Sequence, residues 1–432
     1  MSPHLRPFGL LLLAGLRLPA ADTVPAADWT VPPVAGRNLA VPFTSPAGVY
    51  SGLSGPGEPV TGSGLGGWRS GNDGVRYKGP HPKPGWQLDW DAKATSTDQA
   101  IDQGLLPPLK PLWELHLRDT IITLGGDGLY YLTGSSGDNI WDRNDGIELW
   151  KSADLKTWDY LGLVWSLAKD ATWQRGARYV WAPELHYLPI KKTYVLTLCV
   201  GSSPSGTGFL VSATGKPEGP YVNRFRPDAR VTGGIDATVF EDDDGKIYYT
   251  SGHGDTLYQL KDDFSGFVDG PHHLSLDPAS QQKARALGVS SGVASEGPSL
   301  FKWQGRYYLG GALFIGGVNR QTGKNGRYSS CVAIADSIYG PYTQWAEAVP
   351  CGAGGNYFQD KAGAWFCTYF GNDEASPFRE KPGIVKIDFE TDGRIRIADE
   401  QPAFILRDGA PTHWRKTPVP ASSTNIPPPS IP

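Results

Sequence analysis

Glu296 stands in "ASEGPSLFKWQGRYYLGG" (294–311) among alanine, serine, glycine and proline, eleven residues ahead of Tyr307 in a strand-like run. Four other polar residues keep a similar distance from an aromatic anchor. Asp119 lies 11 residues before Tyr130, Glu184 lies 10 before Tyr194, Asp236 lies 12 before Tyr248, and Asn356 lies 9 before Trp365. If the five segments are equivalent, these side chains converge on one opening. Carboxylates held close together raise one another's proton affinity, and burial adds to it. Folds accept that strain mainly where chemistry uses it. Paired carboxyl groups in a polar funnel suit glycoside hydrolysis: one protonates the leaving oxygen, and the other activates water or attacks the sugar. A third can set the donor's proton affinity.

The elements that must position these residues repeat along the chain. "DGLYYLTGS", "KKTYVLTLCVG", "DGKIYYTSG", "QGRYYLGGA" and "AGAWFCTYFG" are each a turn followed by an aromatic, β-rich run. That is a hairpin signature. The anchors Tyr130, Tyr194, Tyr248, Tyr307 and Trp365 are 64, 54, 59 and 58 residues apart. After most of them a further strand, a short turn and a polar edge strand follow, as in "ELWKSADLKTWDYLG" (148–162). Five units of four strands predict an all-β five-bladed β-propeller over residues 111–412. A β-sandwich is the competing all-β architecture, but its strands have no reason to recur with a period near ~60. In a propeller the innermost strands run the same way along the axis, which would gather Asp119, Glu184, Asp236, Glu296 and Asn356 at one end of the channel.

The flanks differ. Residues 22–110 are rich in Gly and Pro and read as an irregular N-terminal extension packed on the propeller. Residues 413–432, ending "PPPSIP", read as a disordered tail. At the start, Arg6, the apolar run "FGLLLLAGL" and the small residues of "LPAAD" form a secretory signal pattern over residues 1–21. Export to the periplasm or medium is the expectation. Removing that segment takes away Arg6 and Arg17 and shifts the net charge from −4 to −6. Without a Lys/Arg stripe, nucleic acid is not an expected partner, and no later run is apolar enough for a membrane span.

Cys199, Cys331, Cys351 and Cys367 have no CxxC spacing, which argues against zinc. Disulfides and buried thiols both fit. "EDDDG" (241–245) packs its acids consecutively, without the alternating spacing of a calcium loop, and reads as a hairpin turn. His186 and His253 sit near predicted funnel strands. Trp141, Trp173 and Trp181 are candidates for stacking on a sugar face, Trp181 foremost, while most propeller tryptophans pack between blades.

At these residues the chain resembles glycoside hydrolase family 43, the five-bladed propellers that include arabinanases, β-xylosidases and α-L-arabinofuranosidases. The likeness is carried by "LRDTIITLGGDGLYYLTGS", "IELWKSADLKTWDYLG", "YVWAPELHYL", "GGIDATVFEDDDGKIYY" and "ASEGPSLFKWQGRYYL", in family order over roughly residues 113–400. The resemblance implies a carbohydrate substrate, with Asp119 as general base, Glu296 as general acid and Asp236 tuning and orienting the acid. It further implies an inverting displacement, with the Asp119 and Glu296 carboxyls about 6.5–9.5 Å apart. Arg118, Trp181, Glu184, His253 and Asn356 are the expected substrate-binding residues. Thr120 stands where the family usually has proline, and "CGAGGNYFQD" lacks the histidine that many relatives use to hold an axial metal or water. No cofactor is implied for the chemistry, and a structural calcium would lack that histidine. Two other readings fit the same architecture: a catalytically silent carbohydrate-binding propeller, which should have lost one of the three acids, and a five-bladed enzyme acting on fructans or agaro-oligosaccharides.

Overall fold

A computed structural model describes residues 100–414, apart from 102, 114–116, 137–145, 168, 174–178, 202–205, 226–228, 288–291, 319–324 and 371–380. The signal pattern, nearly all of the N-terminal extension and most of the C-terminal tail therefore lie outside the described residues. Among the described residues, twenty strands form five four-stranded antiparallel sheets. Blade 1 is β1 (Arg118–Leu124), β2 (Tyr130–Ser135), β3 (Gly146–Ser152) and β4 (Asp159–Ser166). Blade 2 is β5 (Tyr179–Leu188), β6 (Thr193–Gly201), β7 (Gly206–Ser212) and β8 (Tyr221–Val222). Blade 3 is β9 (Ala237–Glu241), β10 (Ile247–Ser251), β11 (Thr256–Leu260) and β12 (Phe267–His273). Helix α1 (Pro278–Ala286) then leads to blade 4: β13 (Glu296–Trp303), β14 (Arg306–Val318), β15 (Asn325–Ala335) and β16 (Thr343–Val349). Blade 5 is β17 (Tyr357–Gln359), β18 (Trp365–Tyr369), β19 (Gly383–Phe389) and β20 (Ile395–Ile397).

Within each blade the strands pair in sequence order, and the five aromatic anchors all fall on the second strand. The turns explain the hairpins. Gln304 and Gly305 join β13 to β14 with φ of 47° and 77°, the two-residue geometry that matches strand twist. The aromatic excess is spent between blades, where such rings bury large areas. Phe301 of blade 4 stacks on Tyr357 of blade 5, with ring centroids 4.9 Å apart. Cys199, Cys331, Cys351 and Cys367 are all buried as thiols rather than disulfides.

Among the described residues no blade borrows a strand from the far end of the chain, and side-chain contacts bridge blades 5 and 1. The Asn356 side chain lies across the exposed backbone edge of β1: its Nδ2 donates to Ile122 O at 2.9 Å, and its Oδ1 accepts from Ile122 N at 3.1 Å. Thr368 Oγ1 donates to Thr120 O at 2.6 Å beside it. The Asn356 amide thus has a structural role at the seam, serving both backbone groups of Ile122, which the sugar contact expected of it did not include. A clasp adds to this closure. Leu109 pairs with Leu406, Lys110 N donates to Ile405 O, and Arg407 N donates to Pro108 O. Leu106 and Leu109 are buried there, so the chain joins the propeller before residue 111.

Stranding a buried backbone group costs about 1–3 kcal/mol. Asn356→Ala should therefore lower unfolding free energy by about 2–4 kcal/mol, read from the midpoint of chemical denaturation. An unchanged midpoint would show that the ring closes without this amide.

Candidate active site

Three of the five innermost strands share a local irregularity. Pairing slips between Arg118 and Ile121, between Trp181 and Glu184, and between Glu296 and Ser299. Bulges of this kind re-aim side chains at barrel rims and active sites. Ile121, Glu184, Thr238 and Ser299 each face the corresponding residue of the second strand, namely Thr133, Thr197, Thr250 and Gly310. Two residues earlier the backbone is left-handed in every case: Asp119 (φ 52°), Ala182 (42°), Asp236 (51°) and Gly297 (58°). Gly354 (79°) takes that place in blade 5, ahead of Asn356. Left-handed backbone costs an ordinary residue about 1–2 kcal/mol, least for Gly, Asn and Asp.

This alignment corrects the count from the aromatic anchors, which treated five residues as one ring. Asp119 and Asp236 share a level; Glu296 lies one residue before it; Glu184 and Asn356 lie two after it. The level of Glu296 is shared by Arg118, Trp181, Ile235 and Ala353. The three acids nevertheless converge. Asp236 Oδ2 accepts a hydrogen bond from Gly297 N at 2.9 Å, which ties it to the residue after Glu296. Burial holds the Asp236 carboxyl well above the usual carboxylate range, and the charges of Glu296 and then Asp119 push it further. The Gly297 N–H opposes this, and Glu184 adds a smaller push upward.

The partners of the other two acids come from different blades. Ser135 Oγ donates to Asp119 Oδ2 at 2.5 Å and accepts from Ala182 N at 2.7 Å. An ionised carboxylate only accepts, so the serine proton is the one that points to Asp119. The buried Arg118 has Nε 4.0 Å from Asp119 Oδ1, and its guanidinium lies over the Phe370 ring, 4.5 Å from the centroid. Gly354 makes room for that ring: a Cβ there would fall 2.2 Å from Phe370 Cε1. Glu296 Oε1 accepts from the buried Tyr328 hydroxyl at 2.5 Å.

The remaining expected residues divide. Trp181 is half-buried at the Glu296 level. Glu184 is buried, with Oε2 2.8 Å from His186 Nε2. His253 is exposed on the turn after β10. Trp173 is buried in the core between blades 1 and 2, and Trp141 lies outside the described residues. "EDDDG" is a hairpin turn whose Asp242 binds Lys302 Nζ at 2.6 Å and the Tyr307 hydroxyl at 2.6 Å across the blade interface. Among the described residues no group of three His, Cys, Asp or Glu is arranged to hold a metal ion. Ser135, Tyr328 and Phe370 escaped the sequence reading. Ser135 was within reach, two residues after Thr133 in "LTGS"; Tyr328 is on a third strand, for which the repeat offered no phase.

A family model for glycosyl hydrolases family 43 matches residues 108–395. The chain belongs to this family. A protein of Escherichia coli K12 named "Putative beta-xylosidase" is 26% identical over 272 residues, covering 56% of this chain and 45% of its own length. "Beta-D-galactofuranosidase xynD" of Aspergillus niger is 29% identical over 154 residues, 30% of this chain and 44% of its own. The chain thus spans under half the length of both curated relatives. The crystal structure of a GH43 enzyme from Xanthomonas citri complexed with xylotriose shares the fold. Its TM-score is 0.53 at 19% identity, covering 73% of this chain and 98% of that one.

The environment of Asp236 makes a stability prediction. A carboxyl whose folded pKa is raised favours the fold at low pH, and that contribution is lost as pH rises from the unfolded value of ~3.9 through the folded one. Asp236→Asn keeps an acceptor for Gly297 N–H but removes the charge. The variant should match its parent in melting temperature near pH 4 and exceed it increasingly toward neutral pH. Thermal melts across that range would show a flat difference if Asp236 carried no such penalty.

Proposed function

We propose that this family 43 member is an exported glycoside hydrolase that works by single inverting displacement. Asp119 takes a proton from water, the water oxygen bonds to the anomeric carbon, and the bond from that carbon to the leaving oxygen breaks. Glu296 protonates the departing oxygen, and Asp236 holds and tunes the acid. The observation that carries this reading is the hydrogen bond from Gly297 N to Asp236, a carboxyl that also feels the charges of Glu296 and Asp119. It fastens a buried acid beside the proposed proton donor, as such chemistry needs. Around them, Arg118, Trp181, Glu184 and His253 are the side chains available to meet the sugar.

The substrate class follows from the family and the curated relatives. β-Xylosidase and β-D-galactofuranosidase are the activities their names carry. Xylosides, arabinofuranosides and galactofuranosides are therefore the first substrates. Export rests on the "FGLLLLAGL" pattern near the start of the chain. A silent carbohydrate-binding propeller is the weaker reading, since Asp119, Asp236 and Glu296 are all present.

The test is a panel of aryl xylosides, arabinofuranosides and galactofuranosides, with Asp119→Asn and Glu296→Gln as controls. Asp119→Asn should lose about 10²–10⁴ in kcat on the accepted glycoside, and Glu296→Gln should lose as much on the same sugar carrying an alkyl or sugar leaving group. Proton NMR of the first-formed sugar should show inverted anomeric configuration. Retained configuration would point to a closer nucleophile pair, about 5–5.5 Å apart. Full activity in Glu296→Gln on an alkyl or sugar leaving group would remove that residue from the mechanism.

A further inference from the structure

Glu296 has two carboxyl oxygens, and only one can carry the proton delivered to a leaving group. Oε1 accepts the Tyr328 hydroxyl proton at 2.5 Å. Among the described residues Oε2 has no hydrogen-bond partner. A protonated carboxyl has one carbonyl oxygen, which accepts, and one hydroxyl oxygen, which donates. A phenol donating to Oε1 makes Oε1 the carbonyl and leaves the acidic proton on Oε2.

Tyr328 is built to hold that role. Its ring is buried on β15, with centroids 4.5 Å from Phe314 and 6.1 Å from Phe370. Phe370 is fixed in turn by Arg118 above it and by the left-handed glycine at 354. Burial first, and the Glu296 charge next, push the Tyr328 hydroxyl well above its ordinary pKa, so it keeps its proton. The charged groups around the pair are Asp236, Asp119 and Arg118, with Glu184 acting on Asp236. Nearby, Gly254, after the exposed His253, packs against Pro298. Asp236 and Gly297 fix Glu296 from the blade 3 side; Tyr328 fixes it within blade 4.

We infer that Tyr328 is a positioning residue that selects Oε2 of Glu296 as the proton-delivering atom. The inference rests on Glu296 being the general acid, so its test separates the two ideas. Infrared difference spectra at low pH would identify the protonated Glu296 carbonyl stretch by its loss in Glu296→Gln. In Tyr328→Phe, which keeps the ring and its packing, that band should move to higher wavenumber as the carbonyl loses its donor. No movement overturns the inference whether or not the protein is a glycosidase. In kinetics, Tyr328→Phe should lose about 10- to 100-fold in kcat on alkyl and sugar leaving groups, which need protonation. It should lose much less on nitrophenol, which needs little. A uniform loss across leaving groups overturns the inference, because a merely structural defect would act that way. A moved band in a chain that hydrolyses no glycoside would uphold the hydrogen-bond selection and overturn the assigned reaction instead.

Discussion

Three carboxyl groups are held close enough to feel one another's charge, and one of them, Asp236, is buried. Left alone, such groups would separate or protonate. The chain prevents separation by geometry, because each acid is on the innermost strand of a different sheet or on the turn leading into it, and the sheets form a closed ring. It limits the repulsion with neutral hydrogen-bond donors, among them Gly297 N to Asp236, Ser135 to Asp119 and Tyr328 to Glu296. None of these donors is a cation. Neutral donors offset part of the charge without cancelling it, which leaves Asp236 with its strongly raised pKa. Arg118 is the nearby cation, and it stands off from Asp119 at 4.0 Å while its guanidinium is engaged over Phe370.

The same positions in the repeat serve two ends. Threonine recurs on the second strand, at 133, 197, 250 and 368, and three of these use the hydroxyl to reach the next blade. Thr133 accepts from Leu185 N, Thr197 donates to Ala237 O, and Thr368 donates to Thr120 O. Opposite those threonines, blade 5 places Asn356, which closes the ring on Ile122, whereas blade 2 places Glu184, bonded to His186 near the acids. One backbone position thus carries a structural amide in one blade and a buried carboxylate in another. Symmetry of the fold does not imply symmetry of the site.

Much of this was legible in the sequence, and the failures have physical causes. The blade count follows from period and aromatic anchors, because every second strand must bury an aromatic face between sheets. Asp119, Asp236 and Glu296 were singled out by their distance from the aromatic anchors and by the family motifs around them. Their levels were misjudged because a bulge inserts a residue into the innermost strand, and a count from the second strand cannot detect it. Asn356 was misplaced for a related reason: the count could not tell that its amide would meet Ile122 across the ring's seam. Tyr328 was invisible, since a tyrosine on a third strand reads as packing. Only coordinates show its hydroxyl on Glu296.

The left-handed level ties these observations together. A residue with φ near +50° turns its side chain away from the direction an extended strand would give it, and the bulge turns the neighbours with it. In blades 1 and 3 this residue is itself an acid, which tolerates the conformation better than most. In blade 4 it is Gly297, directly after Glu296, and its N–H points to Asp236. In blade 2 it is Ala182, whose N–H holds Ser135 for Asp119. Beneath Asp236 lies Cys199, its thiol 3.7 Å from Gly234 O and pushed up to about 12, first by burial and then by Asp236. Sulfur is a weak hydrogen-bonding group, so it fills the space without solvating the acid. The left-handed backbone thus donates to Asp236 directly and holds Ser135 for Asp119.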